Sequence, residues 1–168
     1  MKTTKVLQTN ISEIDISKVS EILNTSTKTR VAICNANTLV RSVRNVGVRN
    51  SINNFTIKAP DGFPVAKALS FLTKKKFLRV DGYKVFLQTI ENGISHGTKH
   101  YFFGNNDEIT KLMIDQLIQK FPDIKITGYL CPEFMSADEL VKKFKEEIES
   151  INTDIIWVSL GFPKQEIF

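Results

Sequence analysis

Asp154-Ile-Ile-Trp-Val-Ser-Leu-Gly-Phe-Pro-Lys-Gln-Glu-Ile-Phe168 is the stretch on which the reading of this chain turns. An apolar, β-branched run (Ile155, Ile156, Val158) ends at Gly161. A proline follows, and then Lys164, Gln165 and Glu166. Such a run reads as a buried parallel strand that delivers a polar loop to one edge of a sheet. Ligands of open α/β sheets bind outside the carboxyl ends of the strands. The segment therefore reads as half of a binding site. The chain stops two residues past Glu166, where a helix is expected to begin.

Working back from there, apolar and amphipathic segments alternate. Strands are expected at Val31–Cys34, Phe55–Lys58, Lys99–Phe103, Ile124–Gly128 and Asp154–Leu160. Between them lie helical patterns. Ile16, Val19, Ile22 and Leu23 recur at helical spacing after a cap at Asp15. A second helix covers Thr38 to Arg44. A third follows Pro64, with good helix formers from Ala66 to Phe77. After the turn Arg79-Val-Asp-Gly-Tyr83, another helix runs through Ile90 and stops near Gly93. Ile109, Leu112, Met113, Leu117 and Phe121 form an apolar stripe that Pro122 ends. Ser136 with Glu139 is a capping-box pair for a helix reaching Ser150, whose buried side is Leu140, Val141, Phe144 and Ile148. Strands alternating with helices from residue 31 onward predict a single α/β domain. Its parallel sheet is flanked by helices and preceded by a helical lead-in over residues 1–30.

Composition narrows the function classes. A length of 168 residues suits one sizeable core. Hydrophobic residues make up 42% and charged residues 24%, as in ordinary globular proteins. No run approaches the roughly 18 apolar residues of a membrane span, and the first residues lack the apolar core of a signal peptide. Cys34 and Cys131 match no metal or redox spacing. Cys34 lies in an apolar run and is expected to be a buried thiol, which suits a reducing cytoplasm. The net charge of +5 could attract nucleic acid, an anionic membrane or a phosphorylated substrate. Basic residues are mostly dispersed, and no interleaved basic and aromatic face marks a nucleic-acid reader. Lys74-Lys75-Lys76 is the one dense run; it reads either as a solvated helix end or as a partner-binding patch.

Four strand ends carry polar or glycine-bearing turns: Asn35-Ala-Asn37, Pro60-Asp61-Gly62, Gly104-Asn-Asn-Asp107 and Gly161 to Glu166. In one parallel sheet all four share an edge. Asp61 could take a proton from a hydroxyl as a general base, or it could simply be a turn aspartate. The turn at Gly104 either presents backbone N–H groups to a phosphate or is an ordinary helix cap. Lys164, Gln165 and Glu166 are either ligand contacts or a solvated loop. Arg79 suits bidentate phosphate binding or a surface salt bridge. His96 and His100 have no third partner and make no ligand set, so no metal site is expected.

Asn35 with Leu39-Val40, Ala59-Pro60-Asp61-Gly62, Arg79-Val-Asp-Gly82, Tyr101-Phe-Phe-Gly104 and Leu160-Gly-Phe-Pro-Lys-Gln-Glu166 stand in the order of a known family. The chain resembles the WecG/TagA/CpsF glycosyltransferases, glycosyltransferase family 26, over nearly all of residues 5 to 168. The resemblance implies a Rossmann-like fold and an inverting, metal-independent sugar transfer without a cofactor. The donor it implies is a UDP-sugar of the N-acetylmannosamine kind. The acceptor is an undecaprenyl-diphosphate-linked sugar at the cytoplasmic membrane face, and the products are teichoic acid, capsule or exopolysaccharide. It further implies Asp61 as catalytic base, Asn35 as a pocket residue, Arg79 at the diphosphate, Gln165 in the donor pocket, and Gly104 and Gly161 in nucleotide-side turns. Lys164 and Glu166 flank Gln165 in the same motif. Nucleic acid is not an expected partner, and a homo-oligomer is left open.

Three departures stand out. Ile33 replaces a threonine of several members, and Lys84 replaces a frequent aspartate. Members also continue for several tens of residues past Pro-Lys-Gln-Glu, so a C-terminally shortened domain is expected. An inactive nucleotide-sugar-binding remnant is the alternative to an active transferase.

Overall fold

The computed structural model describes residues 1–168. It is α/β, of the Rossmann-like class read from the sequence, with every strand after the first two in a parallel pair. The chain expected as one domain divides into two compact units, Met1–Thr89 and Ile90–Phe168.

The first unit opens with a departure from expectation. The helical lead-in is a β-hairpin followed by a helix. Strand β1 (Thr3–Val6) pairs antiparallel with β2 (Thr9–Ser12), Thr3 facing Ser12 and Val6 facing Thr9. The threonines, Val6 and Ile11 favour extended backbone. The two-residue turn, Leu7-Gln8, is made of residues that rarely signal one, which is why the hairpin was illegible. Helix α1 (Ile16–Thr25) follows, capped by Asp15, whose side chain accepts from the Lys18 N–H. Strand β3 (Val31–Cys34) leads into α2 (Ala36–Arg44) and then α3 (Val46–Asn53), a helix not anticipated. Its signals were Asn45 as a cap and Val48 and Ile52 four apart on the buried side. Strand β4 (Ile57–Pro60) lies two residues later than expected, because the preceding Phe55 leaves the ladder to sit under the Arg30 guanidinium at 4.6 Å. It is followed by α4 (Phe63–Thr73), which ends four residues short of Phe77 where Lys74 turns left-handed. The last helix, α5 (Gly82–Ile94), contains the boundary between the units.

Strands β3 and β4 pair in parallel, with Val31 opposite Ile57 and Cys34 opposite Pro60. Side chains alternate across a strand, so Val31, Ile33, Ile57 and Ala59 share one face. That face packs with Ile14, Val19, Ile22, Leu23, Val80 and Val85 into one apolar cluster. Full burial of an aliphatic side chain such as Ile57 contributes roughly 1.5–3 kcal/mol. Ile33 belongs to this cluster, and a Cβ on Gly82 would lie 3.4 Å from its Cγ2. The other face carries Cys34, a buried thiol as expected, and Lys58. The Lys58 ammonium donates to the Phe55 carbonyl at 2.6 Å, and burial lowers its pKa.

The second unit is a three-stranded parallel sheet in the order β6-β5-β7. Strand β5 (Lys99–Gly104) is central; β6 (Lys125–Leu130) and β7 (Ile155–Ser159) flank it. The terminal strand, expected to be buried, is half-buried because it pairs on one side only. Helix α6 (Asp107–Lys120) joins β5 to β6, and α7 (Ala137–Ser150) joins β6 to β7 behind the expected Ser136–Glu139 capping box. Tyr101 and Phe103 of β5 pack with Leu140 and Phe144 of α7. The stripe expected on α6 is rotated: Leu117 and Phe121 are buried, but Ile109 and Leu112 are exposed and Thr110 takes the inner position.

His100 lies on the other face of β5. Its Nδ1 accepts from the Trp157 indole N–H at 3.2 Å, and burial pushes its pKa down to about 4. A histidine held neutral in the fold stabilises it above the unfolded pKa near 6.5, and that contribution is lost as pH falls toward 4. Urea unfolding followed from pH 8 to pH 4 should lose up to about 3 kcal/mol from this group. His100→Gln should remove that part of the slope, and the His100 NMR resonances should stay in the neutral form until about pH 4.

Candidate functional site

The candidate residues form two strand-end clusters, one in each unit. In the first, β3 ends at Asn35. Its carboxamide oxygen accepts from the Thr38 N–H at 3.1 Å and from the Thr38 hydroxyl at 3.3 Å, capping α2. The Asn35 oxygen is thereby spent on the helix, and its NH2 is the group left to meet a ligand.

The parallel ladder continues one residue beyond β4, because the Asp61 N–H donates to the Cys34 carbonyl at 3.0 Å. Asn35 and Asp61 consequently leave the sheet side by side. The Asp61 Oδ1 accepts from the Gly62 N–H at 2.7 Å and from Arg79 Nε at 2.9 Å. Its Oδ2 carries no hydrogen bond. The side chain is 18% exposed, so one oxygen is anchored and the other is reachable. The turn role weighed for Asp61 is real, and it uses only half of the carboxylate.

Arg79 is held in place by its own turn, where the Val80 N–H donates to the Pro60 carbonyl at 2.9 Å. A second guanidinium nitrogen, Nη2, reaches Asp81 Oδ2 at 2.7 Å. The hydrogen bond that Arg79 donates to Asp61, with the charges of Asp61 and Asp81, raises the Arg79 pKa. Arg79 is 54% exposed, so the salt-bridge reading of this residue is what the structure shows. Asp81 was not singled out beforehand. It completes the arrangement, since its Oδ1 accepts from the Tyr83 and Lys84 N–H groups at the start of α5. The available signal was a carboxylate two residues after Arg79 in the same turn.

In the second unit, β5 ends at Gly104, where φ is +109°. A Cβ there would lie 2.3 Å from the Ser159 carbonyl oxygen. The glycine lets β5 and β7 approach closely enough for the Asn105 N–H to donate to that same carbonyl at 2.8 Å. The cap weighed for this turn is made by Asn106, whose side chain accepts from the Ile109 N–H at 2.8 Å. Asp107 occupies the first turn of α6. Its hydrogen bonds to Lys111 and Tyr129 lower its pKa.

Past β7, Gly161 is exposed with φ +74° and has no neighbour where a Cβ would sit. The polar loop expected next is a helical turn, α8 (Lys164–Ile167). The Lys164 ammonium stands 3.4 Å above the Phe134 ring. Gln165 donates to Glu166 Oε1 at 3.2 Å. Glu166 is only 4% exposed, its Oε2 is buried without a partner, and burial raises its pKa. Unlike a solvated loop, this turn points a carboxyl inward. His96 and His100 part company, His96 bonding to the Asn92 carbonyl and His100 to Trp157.

The structure thus groups Asn35, Asp61 and Arg79 in one unit and Gly104, Gly161, Lys164, Gln165 and Glu166 in the other. Gly104→Ala should cost about 2–4 kcal/mol, since the methyl must displace backbone and adopt a strained φ. Chemical denaturation measures it; a loss within about 0.5 kcal/mol, the range of neutral surface changes, would mean the close approach is not tight.

Comparison with known proteins supports the family resemblance. The profile of the Glycosyl transferase WecG/TagA/CpsF family matches residues 4–168. An N-acetylglucosaminyldiphosphoundecaprenol N-acetyl-β-D-mannosaminyltransferase of Bacillus subtilis is 28% identical over 118 residues, which is 70% of this chain and 44% of that protein. The enzyme of the same name from Bacillus spizizenii is 28% identical over 112 residues, 65% of this chain and 41% of that protein. The chain spans less than half the length of these relatives. With the profile match covering almost every residue, the chain belongs to the WecG/TagA/CpsF family of glycosyl transferases.

Proposed function

We propose that this chain is an inverting glycosyltransferase domain that moves an N-acetylmannosamine-like sugar from a UDP donor to an undecaprenyl-diphosphate-linked acceptor. The product would serve bacterial cell-surface polysaccharide assembly. The family match and the names of the two relatives support the reaction class and the lipid-linked acceptor. The observation that carries the mechanism is the divided carboxylate of Asp61, with Oδ1 fixed by Gly62 and Arg79 and Oδ2 open.

In this reading Asp61 Oδ2 takes the proton of the acceptor hydroxyl as the oxygen attacks the anomeric carbon. The bond to UDP breaks on the opposite side and its electrons leave with the diphosphate. Inversion follows from the single displacement. Arg79 positions Asp61, and its exposed edge faces incoming phosphate charge. The Asn35 NH2, Gln165 and the turns at Gly104 and Gly161 are donor or acceptor contacts, with Lys164 and Glu166 framing Gln165. Transfer proceeds without a metal or cofactor, close to the inner face of the plasma membrane. No helix is long and apolar enough to cross one.

The decisive assay is UDP release from UDP-N-acetylmannosamine with a lipid-linked acceptor. Asp61→Asn preserves the contact to Gly62 and should lower kcat by about 100- to 10,000-fold, the usual worth of a positioned base. Donor binding by calorimetry should hardly change. Wild-type kcat in that variant would sink the assignment. Binding of UDP-sugar with no turnover in the parent chain would identify the inactive remnant instead.

Chelation supplies an independent check. The rate should be the same with and without EDTA. A loss restored by a divalent cation would overturn metal independence.

A further inference from the structure

The turn that carries Asp61 opens into α4, and the outward side of α4 is unusual. Phe63, Lys67 and Phe71 follow one another at four-residue spacing on its exposed face. Phe63 is 72% and Phe71 84% exposed. Lys67 holds its ammonium 5.6 Å from the Phe63 ring centre. Exposed Leu72 and Leu78 flank the run Lys74-Lys75-Lys76, and exposed Tyr83 and Lys84 begin α5.

Charge over this stretch is one-sided. Residues 62–84 hold Lys67, Lys74, Lys75, Lys76, Arg79 and Lys84 against the single carboxylate Asp81. Asp81 is already paired with Arg79. None of the five lysines has an ion-pair partner, so a positive field stands around a set of exposed aromatic and aliphatic side chains.

We propose that the outward face of α4, with the Lys74–Leu78 segment behind it, docks on an anionic lipid bilayer. Aromatic and leucine side chains inserted at headgroup depth, ringed by lysines, are what an interfacial surface requires. Other occupants fit less well. A twofold contact with a second copy would set each lysine cluster against its own image. Single-stranded nucleic acid would use the aromatic rings for stacking but leaves Leu72 and Leu78 without a role. Docking also explains the position of the surface. It runs from the residue after Gly62 to the residue before Arg79, so Asp61 and Arg79 flank it in the chain and docking would hold that pair at the membrane surface. This deepens, and rests on, the reading of the acceptor as a lipid-linked diphosphate.

The test is co-sedimentation of the full chain with vesicles of phosphatidylglycerol and phosphatidylcholine, against vesicles of phosphatidylcholine alone. Binding should require the anionic lipid and weaken with salt. Replacing Lys74, Lys75 and Lys76 by serine should lower partitioning on the order of 100-fold at low salt. Phe71→Ser with Leu72→Ser should lower it roughly tenfold or more. Both variants should unfold at the parent temperature, since these side chains are exposed. A parent chain that stays in the supernatant overturns the proposal, as do variants that bind equally well. Loss of dimerisation or RNA binding in the variants, with no vesicle binding by the parent, also overturns it.

Transfer to a water-soluble acceptor analogue separates this idea from the function it rests on. If transfer occurs and vesicles are not bound, the docking surface fails alone. If anionic vesicles are bound as described and no transfer occurs with any acceptor, the transferase reading fails and the surface stands.

Discussion

A parallel ladder has one exit edge, and the first unit is organised by that constraint. Cys34 sits opposite Pro60, and the Asp61 N–H closes the ladder on the Cys34 carbonyl. Asn35 and Asp61 are neighbours because the backbone register makes them so; no attraction between their side chains is needed. The same register directs Ile57 and Ala59 to the α1 face and Lys58 to the other. A slip by one residue would exchange these faces. The Val80 N–H then binds the Pro60 carbonyl, so the turn bearing Arg79 is built onto the same strand end.

Electrostatics refine what the register sets out. Arg79 lies between Asp61 and Asp81 but is largely in water, which screens the ion pair so that it adds little to stability. Its importance is geometric: it fixes one oxygen of Asp61 and ties the carboxylate to the start of α5. Glu166 is a contrasting case. It is buried with one oxygen unpartnered, so its ionised form is disfavoured. One carboxylate has an oxygen held by a neighbouring cation and backbone; the other is pressed toward neutrality by burial.

Much of the fold was legible because periodicity carries it. The strands at Val31–Cys34 and Lys99–Gly104, the Asp15 cap and the Ser136–Glu139 box all appear where local chemistry demands them. The misses have physical causes. The hairpin at Thr3–Ser12 turns through Leu7-Gln8, residues with no turn signature, and Leu7 takes a positive φ. Helix α3 holds Gly47 and four polar residues, which dilute its pattern. On α6 the apolar stripe read from Ile109 and Leu112 lies toward solvent, because the packing surface selects Thr110, Leu117 and Phe121. Periodicity shows that a face exists; the partner decides where it is centred.

The sequence by itself determined the class of the fold, the strand-end positions of the polar turns and the family motifs. Each of these depends on residue order and local spacing. Only the tertiary structure decided which atoms are committed. It spent the Asn35 oxygen on a helix cap, divided Asp61 into a held and an open oxygen, and bound Arg79 to two carboxylates. It turned Glu166 inward and made Gly104 a point of backbone contact with Ser159. Those outcomes rest on distances between segments far apart in the chain, and local spacing carries no record of such distances.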